Sequence, residues 1–231
     1  MHHLAPRLPR RSRLLSTVVA VAVLATTAAL GMVDAGAAGV PVAPLASDNP
    51  INSTPRVMNG AVYGIERSGS RVFAAGTFTT VRNSTAATDI TRNRLLSYNH
   101  TTGAVDAWAP NVNGTVEAIA LSADGQWIFI GGSFTQVNGV ASKGLAKLST
   151  TTGLRDPNFT TTVAGGTVAD LELRGDTVYV TGTFTSVRST ARVGLAAVSA
   201  TNGSVLSLNL PITAAFSGTT TAPRKIDVDP A

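Results

Sequence analysis

Three stretches of the chain carry the same succession of hydrophobic and polar positions. Each opens on a short mixed run, AVYGIER, TVEAIAL or TVADLEL, followed by a polar turn, SGS, SADGQ or RGD. The Asp-Gly of the second turn is a strong hairpin signal. A denser apolar run comes next, RVFAAG, WIFIGG or TVYVTG. Its lack of strict alternation predicts a strand covered on both faces. A third run, RLLSYN, GLAKLS or GLAAVS, leads through a Thr-Thr-Gly or Thr-Asn-Gly turn into a fourth, AVDAWAP, LRDPNF or SVLSLNL. Pro157 lies in the fourth run of the second copy, which places that run on an outer edge, where the missing N–H is tolerated.

The spacing converts this pattern into an architecture. A heptad closes the second run of every copy: AGTFTTV (Ala75 to Val81), GGSFTQV (Gly131 to Val137) and TGTFTSV (Thr181 to Val187). The turns TTGAVD, TTGLRD and TNGSVL begin at Thr101, Thr151 and Thr201 and so recur every 50 residues. The first copy carries a six-residue insertion within NSTAATDITRN. A period of about 50 residues filled by four short strands predicts an all-β fold, a β-propeller of four-stranded blades, rather than a β-helix with its shorter coils. The predicted blades are residues 59–112, 113–164 and 165–212. Residues 213–231 are read as the start of a fourth, because PRKIDVDPA overlays on VEAIALSAD with Ile226 on Ile119 and Val228 on Leu121. The expectation is an incomplete ring, with further blades of the same protein missing.

The segment before the repeats reads as a leader. MHHLAPRLPRRSRLL is basic and free of acids, an uncharged apolar run follows, and Ala35 and Ala37 suit signal-peptidase cleavage. Residues 1–37 are therefore expected to be a signal peptide and 38–58 a linker, with membrane attachment only through an uncleaved leader, and the protein is expected to be secreted. This changes the charge balance. The chain carries 18 Lys and Arg against 13 Asp and Glu; Arg7, Arg10, Arg11, Arg13 and Asp34 lie in the leader, which leaves 14 against 12, net +2. The basic excess that would invite nucleic acid is gone. With no cysteine, the exported domain must hold together by its core alone.

Chemistry-bearing residues are few. Outside the leader only His100 remains, which with the absence of cysteine excludes Cys–His and multi-histidine zinc sites. Glu66, Glu117, Asp170 and Glu172 fall on the first runs, where carboxylates of different blades could share a central funnel or could balance Arg67, Arg71 and Arg174. Asp124, Gly125, Asp156 and Asn158 lack the dense oxygen spacing of a calcium loop and read as turn formers. Six Asn-x-Ser/Thr triplets are what chance gives in a Thr-rich chain. No phosphate-binding glycine loop has a strand–loop–helix setting. In the heptads, the small residues and Phe78, Phe134 and Phe184 can neither ligate nor move a proton, so the motif reads as scaffold.

The run Val116 to Phe159 resembles the bacterial β-propeller repeats called delta-60 repeats, with their Asp-Gly turn, Gly-Gly-x-Phe heptad, Asn-Gly, Leu-Ala-x-Leu and closing Asp-x-x-Phe. The resemblance extends over roughly Asn59 to Ala231; the first copy departs by its insertion, and the third lacks the Asn-Gly and the closing Asp-x-x-Phe. It implies a propeller in a secreted or surface protein and no established activity. The expected function is a non-catalytic binding or scaffold module for an extracellular protein, a glycan or a neighbouring domain, with no catalytic, cofactor or metal residues. The loops NSTAATDITRN and NGVASKG are the candidate binding regions, with Arg82, Arg92, Asn138 and Lys143 as the candidate contacts. The alternative is part of an extracellular sugar oxidoreductase or glycan hydrolase whose site lies mostly in other blades.

Overall fold

The computed structural model describes residues 54–208 and 223–228, all within the compact unit Asn49–Ala231. The leader, most of the linker and much of the expected fourth copy lie outside the described residues. The described chain is all-β. Its strands are β1 (Arg56–Val57), β2 (Val62–Ser68), β3 (Arg71–Gly76), β4 (Thr80–Arg82), β5 (Asp89–Thr91) and β6 (Leu95–Asn99) in the first copy. In the second they are β7 (Val116–Leu121), β8 (Trp127–Gly132), β9 (Gln136–Val137), β10 (Val140–Ala141) and β11 (Leu145–Ser149). The third has β12 (Val163–Ala164), β13 (Val168–Arg174), β14 (Thr177–Gly182), β15 (Ser186–Val187), β16 (Thr190–Ala191) and β17 (Leu195–Ser199).

Three antiparallel three-stranded sheets follow one plan, β2-β3-β6, β7-β8-β11 and β13-β14-β17, with the dense apolar run central each time. Register matches across them: Phe73 faces Ser97, Phe129 faces Lys147 and Tyr179 faces Ala197. The first strand breaks register at the same point in each, at Val62/Gly64, Val116/Ala118 and Val168/Asp170. Among the described residues no sheet closes on itself.

The sheets meet face to face. Phe73, Ala75 and Leu95 of the first join Ile119, Ile128, Ile130 and Leu148 of the second in one buried cluster. On the other side of the second sheet, Ala118, Ala120, Phe129 and Leu145 join Leu171, Val178, Val180 and Val198 of the third. The second sheet is thus covered on both faces, as its unbroken apolar run requires. Phe78, Phe134 and Phe184 are all buried to within 1%. The heptad glycine beside them is obligatory because a Cβ on Gly76, Gly132 or Gly182 would stand about 2 Å from the carbonyl oxygen of Ala61, Thr115 or Thr167.

The expected four-stranded units are corrected in two respects. The fourth run forms no strand; a single bridge holds it in each copy, Tyr98 to Val105, Leu148 to Arg155 and Val198 to Val205. In the first two copies it then turns away to lie beneath the Thr-Thr-Gly or Thr-Asn-Gly turn of the next, where Trp108 and Pro110 contact Gly153 and Thr161 contacts Gly203. Second, the supposed loops are small hairpin arms, β4-β5, β9-β10 and β15-β16. The Asn138-Gly139 turn of the second arm has both φ angles positive (52° and 76°), and Arg188-Ser189 adopts the same form in the third (46° and 62°). β1, from the expected linker, pairs with β4; β12, from the expected second blade, pairs with β15; Val112, from the expected first blade, bridges Val137.

Candidate functional site

The first strands of the three sheets, β2, β7 and β13, line a groove of about 300 Å³. Glu66, Glu117, Asp170 and Glu172 all border it, together with Tyr63 and Lys225. An adjoining opening of about 540 Å³ adds Thr167, Thr183 and Arg224. The carboxylates expected on the first runs are therefore gathered into one place.

Their environments differ. Asp170 accepts a hydrogen bond from the Ile226 amide (3.0 Å) and faces the Lys225 ammonium (3.5 Å). Glu172 accepts from the Val228 amide (2.8 Å) and pairs with Arg174 (3.2 Å). All four of their oxygens are engaged. Glu66 lies on the face of β2 turned toward the second sheet, alongside Phe73, and burial raises its pKa above the usual 4.5. Of the three arginines expected to balance these groups, Arg174 does so. Arg71 instead joins Asp106 (2.9 Å), and Arg67 donates to the Gly69 carbonyl.

The other candidates stand apart from this groove. Arg82 pairs with Asp89 across β4 and β5 (2.6 Å). Arg92 donates to the carbonyls of Thr91 and Asp106. Asn138 accepts from the Asn111 amide and donates to the Gly153 carbonyl, fastening two copies together. Lys143 is exposed. Three of the four thus serve internal contacts, and the structure does not bring the four together. His100 sits in the turn after β6, its amide bonded to the Ser70 carbonyl.

A second cluster had no counterpart among these expectations. Lys147 and Asp156, each at least 90% buried by side chain, pair at 3.0 Å, with the ammonium 4.4 Å from the Trp127 ring centre. Lys147 and Trp127 border a groove of about 330 Å³ between the second and third sheets, which Asp124 also lines. Asp124 is indeed a turn former: its carboxylate accepts from the Ser122 hydroxyl and the Gln126 amide, which lowers its pKa. Asp156 plays both parts, accepting from the Asn158 amide (2.9 Å) as well as holding Lys147. Among the described residues no group of three or more His, Cys, Asp and Glu is arranged to hold a metal ion, and no helix is long and apolar enough to cross a membrane.

No family model matches the chain, and no curated protein matches it.

Proposed function

We propose that this chain is a secreted, non-catalytic binding or scaffold module built as β-propeller blades of the delta-60 kind, with the first-strand groove as its ligand face. The observation that carries this reading is the alignment of β2, β7 and β13 along one groove, each the first strand of a sheet with the same order, register and bulge. Blades in a propeller share that plan, with first strands around a central axis. The groove suits a ligand that brings a cation or many hydroxyls, such as a glycan or a basic protein segment, because Glu66 and Glu117 still line it beside the committed Asp170 and Glu172. Commitment of Asp170 and Glu172 to holding the chain favours binding over catalysis, since neither is left to move a proton. The test is retention of the purified protein on extracellular polysaccharides and on a glycan array, with retention reduced by Glu117→Lys. A variant that keeps every ligand, or a parent that is retained by none, removes the groove from consideration.

One observation favours the enzyme alternative. Glu66, its pKa raised by burial, and Glu117 border the same groove, and a pair of carboxyl groups at one site, one of them with a raised pKa, is what glycoside chemistry uses. Release of reducing sugar that disappears in Glu66→Gln would replace the binding reading with that one.

A further inference from the structure

In the first two sheets the face that carries Phe73 or Phe129 is covered by the next sheet. The corresponding face of the third sheet carries Asp170 and Glu172 where the second has Ala118 and Ala120. Two carboxylates two residues apart on one strand face stand about 7 Å apart, the repeat of alternate amides on an extended chain. Residues 223–228 use that match. The amides of Ile226 and Val228 point at Asp170 and Glu172, and the Arg174 guanidinium donates to the Val228 carbonyl. The remaining oxygen of each carboxylate meets a cation, Lys225 for Asp170 and Arg174 for Glu172. The segment enters over Gly194, where a Cβ would stand 3.0 Å from the Pro223 ring.

We propose that this face of the third sheet is a receptor for an extended peptide main chain, occupied in this protein by its own residues 223–228. Its grip falls on backbone N–H and C=O groups and on one basic side chain ahead of the first gripped amide. The ligand class is therefore an extended segment with a Lys or Arg at that place and little further demand on side chains. Charge-assisted bonds to amides are stronger than neutral ones, which lets two carboxylates and one guanidinium replace a strand ladder. The geometry also repeats a relation seen earlier in the chain. A Cβ on Gly64, the counterpart of Asp170, would lie 3.4 Å from the amide nitrogen of Ile119, so the first strand of the second sheet passes the first sheet where Ile226 passes the third. The inference stands whether or not the groove binds a glycan.

The experiment is hydrogen exchange followed by NMR on the full chain, with fluorescence anisotropy of a labelled, end-blocked peptide of sequence PRKIDV as the probe. In the parent, the Ile226 and Val228 amides exchange slowly and the peptide does not bind. Asp170→Ala with Glu172→Ala, which copies Ala118 and Ala120 of the second sheet, speeds both amides by roughly tenfold or more while β14 amides keep their rates. Val228→Pro, which removes a gripped N–H without touching the sheet, frees the site and lets the peptide bind, and adding the two alanines abolishes that binding. Ile226→Ala changes the exchange at 226 by less than about threefold, since the grip is on the main chain. Fast exchange at Ile226 and Val228 in the parent, or slow exchange that survives the two alanines, overturns the proposal. Should the alanine pair unfold the chain, failure of the peptide to bind Val228→Pro overturns it.

Discussion

The second and third sheets are built on one plan and solve the same place in it by opposite chemistry. In the second, Lys147 on the third strand and Asp156 on the following segment form a buried ion pair under Trp127. In the third, the equivalent positions are Ala197 and Leu206, paired by the same backbone bond that joins Asp156 to Lys147. The first sheet offers a third solution: Asp106 is kept, Ser97 replaces the lysine, and the cation comes from Arg71, at the place held by Trp127 and Thr177 in the other sheets. An aspartate at this site therefore always has a cation, drawn from whichever strand supplies one. Where the aspartate goes, the cation goes with it. This is the behaviour expected of a pair that costs more to break than to omit.

The largest effect tests what the sheets share. Phe134→Ala should destabilise by ~3–5 kcal/mol in thermal or denaturant unfolding, because a buried ring in every sheet holds the arm against its neighbour. Next comes the ion pair. Asp156→Leu alone should cost roughly 3 kcal/mol by stranding Lys147, whereas Asp156→Leu with Lys147→Ala, which copies the third sheet, should recover most of it. A double variant as unstable as the single would show that the two solutions are not interchangeable. Asp106→Leu should cost only about 1 kcal/mol, since Arg71 and Asp106 are each about 30% exposed and water can serve the arginine once the aspartate is gone. Smaller still is Glu66→Gln. Burial makes the folded chain hold that proton more tightly than the unfolded one, so the parent loses stability as pH climbs from 4.5 through the raised value. The variant should melt higher than the parent at neutral pH, and the gap should close below pH 4.5. Lys143→Ala, on an exposed arm, should stay within about 0.5 kcal/mol.

The sequence carried the three main strands of each copy plainly, because apolar runs such as WIFIGG bounded by Asp-Gly and Thr-Thr-Gly turns have few other ways to fold. It carried the fourth run poorly. Its alternation is real, but Asp156 turns back on its own backbone through Asn158, and Trp108 or Phe159 is drawn under the neighbouring copy, a tertiary demand that no local pattern displays. The hairpin arms are hidden for a different reason, strands of two or three residues having no period to detect. Asn138-Gly139 was the available signal for the second arm. At the candidate site, the carboxylates on the first strands could be named, though not their division of labour, since the amides that Asp170 and Glu172 hold lie more than 50 residues away. The Lys147–Asp156 pair could have been found by aligning the copies, where both positions turn apolar together.

Each of the three main sheets is made only from strands of its own copy, Val62 to Asn99, Val116 to Ser149 and Val168 to Ser199. Ladder formation therefore closes short loops, and the long-range contacts are left to stacking. During synthesis a sheet has all of its hydrogen-bonding partners as soon as its third strand has left the ribosome, while its apolar faces still lack their neighbours. The segments that carry Trp108 and Phe159 pack against residues of the following copy, so each of these sheets has its stacking partner encoded later in the chain than its own ladder.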